Sequence, residues 1–367
     1  MEKRIIYAKQ EAVMTRGLAI LAMVCLHLFC RLAPGLPYQP VIWLSETKPL
    51  VYWLGFFGEI CVPIYSLCAG YAQFLLLQKN KTHFRDNGRR ILKLMKNYWI
   101  ILALFCLLGL FFDKSGSVPG SWSDFIKSIF LLHSYTKTWW FLNTYIILLL
   151  IPSFIVMFPV KKINSWLGII LCFGLYAFWY VWAHMWDEGI SFNNPAVSFI
   201  YTEIKNIFQV LPFFWIGAFL CKADIFEKIN TLFEKIGKPK LINLVLIALT
   251  LIMFVLANII EKGILMGPVG VLAFFSFVTI RKPKCVQKAF LFFGKHSTNT
   301  WLVHWFFYVV VFQGLVWKAK YPLLCLAFML VLCIAASYLE MAIDKGLSKL
   351  YVIVRSQRRI SKKQKSS

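Results

Sequence analysis

Charged residues are scarce in this sequence. Asp, Glu, Lys and Arg make up 15% of the 367 residues, whereas 59% are hydrophobic and the mean hydropathy is +0.67. Because an average soluble domain is about 25% charged, this composition excludes a soluble globular protein. No polar stretch is long enough to fold as a separate soluble domain. The fold class that we predict is all-α, a polytopic bundle of membrane-spanning helices.

The motifs of several common chemistries are also missing. The sequence has no Cys-x-x-Cys pair and no His-Glu-x-x-His motif, so we predict no bound metal. It has no Gly-x-Ser-x-Gly motif and no glycine-rich phosphate loop. The ten cysteines lie mostly in apolar stretches, where a cysteine usually acts as a small buried apolar side chain.

Acidic residues are the rarer charge, at 16 against 40 Lys and Arg, and the formal net charge is +24. Such a basic balance is compatible with binding to nucleic acid or to anionic lipid. Here the apolar stretches favour the lipid bilayer as the partner, and we predict no nucleic-acid binding.

Ten apolar stretches approach the ~20 residues that a helix needs to cross a membrane. They are residues 14–33, 51–77, 98–112, 139–158, 166–186, 205–221, 241–260, 264–280, 299–316 and 322–344. We therefore expect about ten transmembrane helices.

Lys and Arg are distributed unevenly around these stretches. With the N-terminus in the cytoplasm, 31 of the 40 fall on the cytoplasmic side, as the positive-inside rule requires. The loop 187–204 contains three acidic residues and no basic residue, and is predicted to lie outside. We expect both termini to be cytoplasmic, with an integral membrane domain at residues 1–344 and a basic cytoplasmic tail at residues 345–367.

Arg16 and His27 lie at the two ends of a ten-residue segment in which nine residues are apolar and one is Gly17. On a helix, eleven residues make about three turns, so the two side chains share one face about 16 Å apart along the axis. Ionisable side chains in a membrane are costly and usually functional. The alternatives are an interfacial anchor for the arginine and a simple interhelical hydrogen bond for the histidine.

The most basic loop precedes the third apolar stretch. Arg89, Arg90 and Lys93 lie on adjacent turns at the start of one predicted helix. Cations placed in this way suit phosphate binding, and arginine can bind a phosphate through two hydrogen bonds. A topological anchor without a ligand explains the same cluster equally well.

The second stretch contains an acidic residue and a helix breaker. Glu59 lies among apolar residues, and Pro63 must interrupt a backbone hydrogen bond. Gly58 and Gly70 permit another helix to approach closely. A broken helix beside a cavity and a simple packing kink both fit this pattern.

Two later stretches carry aromatic and polar residues. Trp139 and Trp140 begin the fourth stretch, as is typical of an interfacial aromatic belt. His304 is predicted to lie inside the membrane in the ninth stretch, with Ser297 and Asn299 near its start.

Taken in order, these features resemble the membrane acyltransferase-3 family, which includes bacterial O-acyltransferases of surface glycans. The most specific family motif is Arg, ten residues, then His, which Arg16 and His27 match. Four further stretches of this chain resemble motifs of the family. They are VPIYSLCAG in the second stretch, the cations Arg89, Arg90 and Lys93, the Trp-Phe-Leu that begins at Trp140, and the WLVH that ends at His304. The chain departs from the family at Ala69, where Ser is common, and at Lys93, which cannot hold a phosphate through two parallel hydrogen bonds.

The resemblance implies an O-acetyltransferase that moves an acyl group from acyl-CoA, commonly acetyl-CoA, to a hydroxyl. It implies catalytic roles for His27 and Arg16, and binding of the donor phosphates by Arg16, Arg89, Arg90 and Lys93. His27 then acts as a general base or as a covalent acyl carrier, and both remain open. Acyl-CoA is a co-substrate, so no cofactor is expected to stay bound.

The implied acceptor is a cell-surface polysaccharide or a lipid-linked sugar, with Glu59, Trp140 and His304 assigned to acceptor binding. The implied location is the cytoplasmic membrane of a bacterium.

Two other classes of protein share part of this pattern. A transporter or flippase of lipid-linked glycans would also have about ten spans, intramembrane ionisable residues and a basic face. It would not need the Arg-to-His spacing together with the cations of residues 89–93. A non-catalytic scaffold or sensor would not need an intramembrane titratable pair.

Overall fold

The computed structural model describes residues 7–30, 36–79, 84–151, 153–187, 190, 192–260 and 263–364, with the backbone alone for residue 84 and for residues 354–364. Within these ranges the regular structure is helical, apart from an isolated antiparallel bridge between Trp43 and Pro49. This confirms the predicted all-α class.

The α-helices are numbered in chain order. They are α1 Lys9–Phe29, α2 Leu50–Phe56, α3 Cys61–Gln78, α4 Phe84–Phe112, α5 Trp122–Ile129, α6 Trp140–Leu150, α7 Ser153–Val156, α8 Phe158–Lys162, α9 Ser165–Val181, α10 Pro195–Lys222, α11 Ile225–Ile236, α12 Pro239–Ile260, α13 Met266–Thr279, α14 Lys284–Val303 and α15 Pro322–Gln364. The shorter helical turns are 3₁₀ segments at Phe57–Ile60, Gly263–Leu265, His304–Phe307 and Val316–Ala319, and a π-helical turn at Trp182–Trp186.

Among the described residues, seven helical segments are long and apolar enough to cross a membrane. They are Lys9–Phe29, Leu50–Gln78, Arg85–Phe112, Ser165–Trp186, Pro195–Lys222, Pro239–Ile260 and Pro322–Ile353. Each coincides with one of the ten predicted stretches, and the chain is a polytopic membrane protein. The predicted total of ten and the cytoplasmic placement of both termini remain predictions.

The other three predicted stretches form shorter or differently placed helices. Two correspond to the apolar helices Trp140–Leu150 and Gly263–Thr279. The third, at residues 299–316, is divided, because α14 ends at Val303 and 3₁₀ and turn structure follows. At the C-terminus, α15 continues beyond residue 344, the predicted end of the membrane domain.

The described residues fall into two compact units. The first unit comprises residues 1–89, 139–297 and 320–322, and the second comprises residues 90–138, 298–319 and 323–367, in each case as far as they are described.

The centre of the first unit is the contact between α3 and α10, which depends on two glycines. A Cβ atom on Gly70 would lie 1.7 Å from the carbonyl oxygen of Phe214, and one on Gly217 would lie 2.2 Å from that of Leu67. Lipid tails are as apolar as leucine, so small residues that allow close backbone approach select which membrane helices pair.

Helix α1 is fixed in the first unit by glycines on both sides. On one side, a Cβ atom on Gly58 would lie 2.2 Å from the carbonyl oxygen of Ala22. On the other side, Cβ atoms on Gly17 and Gly294 would lie 2.2 and 1.9 Å from the carbonyl oxygens of Phe290 and Val13. Helices α1 and α14 therefore pack backbone to backbone where α1 carries Arg16.

The predicted interruption of the second span is a tightened turn. Between α2 and α3, residues Phe57–Ile60 form a 3₁₀ segment, and Pro63 follows in the first turn of α3. Proline lacks the N–H that would bond to the carbonyl four residues earlier, which here belongs to Glu59. The chain continues along the span, and Glu59 lies at its change of helical geometry.

The second unit contains most of α4, α5, the end of α14 and most of α15. The rings of Phe105 and Phe306 stack with centroids 4.4 Å apart. The Tyr98 hydroxyl donates to the carbonyl of Ser128 at 2.7 Å, and Trp301 Nε1 donates to that of Thr138 at 3.0 Å. These side-chain bonds attach the segment 113–138 to α4 and α14.

Candidate active site

Arg16 is a half-buried cation on α1, next to the glycine contact with α14. It lies close enough to Tyr7, Tyr65 and Cys68 for its charge to act on all three. Within the described part of the chain its guanidinium forms no hydrogen bond and no ion pair. A partly desolvated guanidinium of this kind is suited to binding an anionic ligand.

Aromatic side chains surround this cation. The Tyr7 hydroxyl, 7% exposed as a residue, donates to Cys68 Sγ at 3.0 Å. Burial raises the pKa of Tyr7 well above its ordinary value, with Cys68 adding to the rise and the Arg16 charge opposing it. The Tyr65 hydroxyl is buried beside Ser297, and its ring lies 6.3 Å from that of Phe141 on α6. The surroundings of Arg16 therefore extend through Tyr65 to the start of α6.

His27 lies half-buried on the part of α1 that packs against α2 and the following 3₁₀ segment. In that contact Gly58 abuts Ala22 and Leu26, and Glu59 directly follows Gly58. The first unit thus brings the histidine-bearing part of α1 and the turn that carries Glu59 into one packed layer.

The two tryptophans at the start of α6 have different surroundings. Trp139 is 2% exposed, so it is a core residue and not part of an interfacial belt. Trp140 is half-buried, and its ring meets that of Phe141 edge-on at 5.8 Å. Only Trp140 keeps part of its ring accessible to a ligand or to lipid.

Sequence reasoning missed one buried acid near Trp140. Glu203, which was placed in the outer acidic loop, lies on α10 and is 7% exposed. Thr144 Oγ1 donates to its Oε2 at 3.2 Å, and Asn143 Nδ2 donates to its Oε1 at 3.5 Å. A signal existed, because Asn194 followed by Pro195 is typical of a helix start and would place Glu203 more than two turns inside α10.

The predicted phosphate-binding cations begin α4. Arg89 is exposed and forms an ion pair with Asp86 at 3.2 Å. Exposed pairs of this kind contribute about 0–1 kcal/mol, so a phosphate can compete for Arg89. Arg90 is half-buried and Lys93 is exposed.

A buried polar network anchors the start of α4 in the first unit. Gln73 Nε2 donates to Asn87 Oδ1 at 3.2 Å and to Ser153 Oγ at 2.7 Å, and Asn87 Nδ2 donates to the Leu149 carbonyl at 3.0 Å. Asn87 lies two residues before Arg89, so this network fixes the helical turn that carries Arg89.

His304, in the second unit, is fully buried at the end of α14. Its Nδ1 lies 3.2 Å from the Thr300 carbonyl oxygen and 2.8 Å from that of Trp301. A carbonyl can only accept, so Nδ1 carries the proton in the neutral ring and Nε2 carries the lone pair. The two carbonyls hold the ring in one orientation and one tautomer. In that tautomer Nε2 is the nitrogen that can accept a proton or a hydrogen bond.

The candidate residues are thus divided between the two units. The first unit contains Arg16, His27, Glu59, Arg89 and Trp140. The second contains Arg90, Lys93 and His304. In the described ranges, no three His, Cys, Asp or Glu side chains are grouped as metal ligands would be.

The described residues include seven helical segments long and apolar enough to cross a membrane, and the first of these carries a half-buried Arg and a half-buried His. These features define the class as a polytopic membrane protein with ionisable residues within a span. Residues 14–341 match the acyltransferase domain of the acyltransferase-3 family, and the chain belongs to that family. The protein is therefore a membrane-embedded acyltransferase. No curated protein and no solved structure matches the chain significantly.

Proposed function

We propose that this protein transfers an acetyl group from acetyl-CoA to a hydroxyl of a cell-surface polysaccharide or lipid-linked sugar, as an enzyme of the bacterial cytoplasmic membrane. The observation that carries the proposal is Arg16, a half-buried cation in an apolar helix with no acidic partner in the described chain. Such a cation is costly unless a ligand supplies the counter-charge, and His27 follows on the same helical face.

The donor phosphates are the proposed counter-charge. Coenzyme A carries several negative charges at one end. The cations assigned to them are Arg16 and Arg89 in the first unit and, separately, Arg90 and Lys93 in the second. The exposure of Arg89 and Lys93 and the weak local pairing of Arg89 support this role. The positive-inside distribution of Lys and Arg supports assigning these cations to the cytoplasmic side, where acyl-CoA is made.

His27 is assigned to the chemical step. The imidazole accepts the proton of the acceptor hydroxyl while the hydroxyl oxygen attacks the thioester carbonyl carbon. A carbon–oxygen bond forms, the carbon–sulfur bond breaks, and the leaving thiolate takes up the proton as free coenzyme A. A covalent acyl-histidine intermediate would reach the same products in two transfers.

Acceptor binding is assigned to Glu59 and Trp140 of the first unit, and the same role for His304, in the second unit, follows from the family resemblance alone. The partly accessible indole of Trp140 can cover the apolar face of a sugar ring, as amphipathic aromatic rings do. The Glu59 carboxylate can accept hydrogen bonds from sugar hydroxyls.

The test uses purified protein in detergent with radiolabelled acetyl-CoA, measuring coenzyme A release and labelling of extracted glycan. We expect His27→Gln to lower turnover by about 10²–10⁴-fold, the usual loss of a general base. His133→Gln is the matched control, because this histidine lies outside the membrane-crossing segments, and it should keep wild-type turnover.

Donor binding is measured separately by titration with coenzyme A. Arg16→Gln should weaken binding about 10- to 100-fold, the effect of losing a charge-assisted contact of about 1.5–3 kcal/mol. Arg16→Lys should recover part of the affinity, because the charge remains. If wild-type protein does not bind coenzyme A but moves lipid-linked glycan across vesicles, the transferase proposal is wrong and the transporter alternative holds.

A further inference from the structure

The second unit contains a buried polar cluster that joins α4, α14 and α15. Asn97 Nδ2 donates to Asn299 Oδ1 at 3.0 Å. Asn299 Nδ2 donates in turn to Ser337 Oγ at 3.1 Å and to Glu340 Oε2 at 2.6 Å. Asn299, Ser337 and Glu340 are 5%, 0% and 1% exposed, so the cluster is enclosed by protein and apolar neighbours.

One atom of this cluster is left without a partner. Glu340 Oε1 is buried and accepts no hydrogen bond from any described residue, and Glu340 forms no ion pair within the described chain. The nearby cation Lys96 is paired with Asp344 and also donates to Ser348 Oγ at 3.0 Å. An enclosed carboxylate oxygen without a donor is costly, so this atom is suited to a donor that a ligand brings.

The cluster is in line with the cations of α4. Asn97 follows Arg90 by seven residues and Lys93 by four, so the three side chains lie on one side of the helix. The axial rise from Arg90 to Asn97 is about 10 Å. A ligand with an anionic end at the start of α4 and a polar arm along the helix would reach the cluster with that arm.

We propose that Asn97, Asn299 and Glu340 form a subsite for the amide-bearing arm of the acyl donor, with Glu340 Oε1 accepting a hydrogen bond from an arm amide N–H. This rests on the proposed function, in which coenzyme A is that donor. Each arm amide has one donor and one acceptor, and the cluster offers a carboxylate oxygen and carboxamide groups to match them.

The test compares two ligands on purified full-length protein. Coenzyme A has the arm, whereas adenosine 3′,5′-bisphosphate keeps the adenine and two of the three phosphates and lacks the arm. Glu340→Gln keeps an oxygen for Asn299 but replaces the free acceptor with an NH₂ donor. We expect it to weaken coenzyme A binding about 10-fold or more and to leave binding of the bisphosphate unchanged.

Ser337→Ala is the matched control, because it removes a different hydrogen bond from Asn299 and leaves Glu340 Oε1 untouched. It should keep coenzyme A affinity within about twofold of wild type, the scale of one weak neutral hydrogen bond. Equal losses in Ser337→Ala and Glu340→Gln, or equal losses for both ligands, would show that the cluster only supports the fold, and would overturn the proposal.

A measurement on wild-type protein does not depend on the folding of any variant. Coenzyme A methylated at both arm amide nitrogens cannot donate, and should bind about 10-fold or more weakly than coenzyme A. Equal affinities would overturn the subsite while leaving the proposed function intact. Failure of wild-type protein to bind coenzyme A itself would remove the proposed function and the subsite together.

Discussion

Gly294 offers a way to move the first span without touching a candidate active-site residue. It lies on α14, and a Cβ atom there would be 1.9 Å from the carbonyl oxygen of Val13, one turn before Arg16 and Gly17 on α1. Real Cβ atoms keep at least 3.0 Å from such an atom, so Gly294→Ala must separate the two helices by about 1 Å in a close-packed interior.

The magnitude follows from that displacement. Overpacking of this size costs about 1–3 kcal/mol of stability, which leaves the protein folded. A misplacement of about 1 Å in an active site can lower the rate about 100-fold. We therefore expect Gly294→Ala to keep most of its thermal stability and to lose about 100-fold in coenzyme A release from acetyl-CoA, with weaker coenzyme A binding through the displaced Arg16.

The assay needs a glycine-to-alanine control of the same chemistry. Gly174, on α9, has open space around its Cβ position, so Gly174→Ala should behave as wild type in thermal unfolding, binding and turnover. If Gly294→Ala retains wild-type turnover and affinity at matched abundance, the close contact of α1 and α14 does not position Arg16, and the reasoning fails.

Three further predictions concern topology, pH and packing. Cys285 is exposed in a segment predicted to be cytoplasmic, so a membrane-impermeant maleimide should label it only after the cells are permeabilised. The same reagent should label Asn193→Cys in intact cells, and the reverse pattern would contradict the predicted topology. The pKa of Asp187 is lowered by its hydrogen bond and ion pair with Lys205, together with a hydrogen bond from the Tyr201 hydroxyl. These contacts of the Asp187 carboxylate therefore stabilise the folded protein above the unfolded pKa of about 3.9. This stabilisation is lost as the pH falls through the lower pKa that Asp187 has in the folded protein. Asp187→Asn should lower stability at pH 7 by about 0.2–1 kcal/mol, and this difference should shrink as the pH falls through the lowered pKa of Asp187. A difference in melting temperature that does not change with pH would contradict this. Gly70→Ala places a Cβ atom 1.7 Å from a carbonyl oxygen of α10, and should cost more stability than Gly174→Ala in thermal unfolding; equal melting temperatures would contradict the packing argument.

The sequence by itself determined the features that depend on short stretches of chain. A membrane-spanning helix follows from a local sum of hydropathy, so seven of the ten predicted stretches are long apolar helices. The shared face of Arg16 and His27 follows from helix geometry alone, and Gly58 and Gly70 are contact points because only glycine lets backbones meet so closely.

Tertiary structure alone decided which distant residues meet. The hydrogen bond from Asn97 to Asn299 joins positions 202 residues apart, and that of Thr144 with Glu203 joins positions 59 apart. Hydropathy contains no information about these pairs, because lipid tails are as apolar as the side chains they replace and do not select a neighbour for a helix. Neighbours are selected instead by backbone fit and by polar groups that must find partners away from water, and both exist only once the helices have packed.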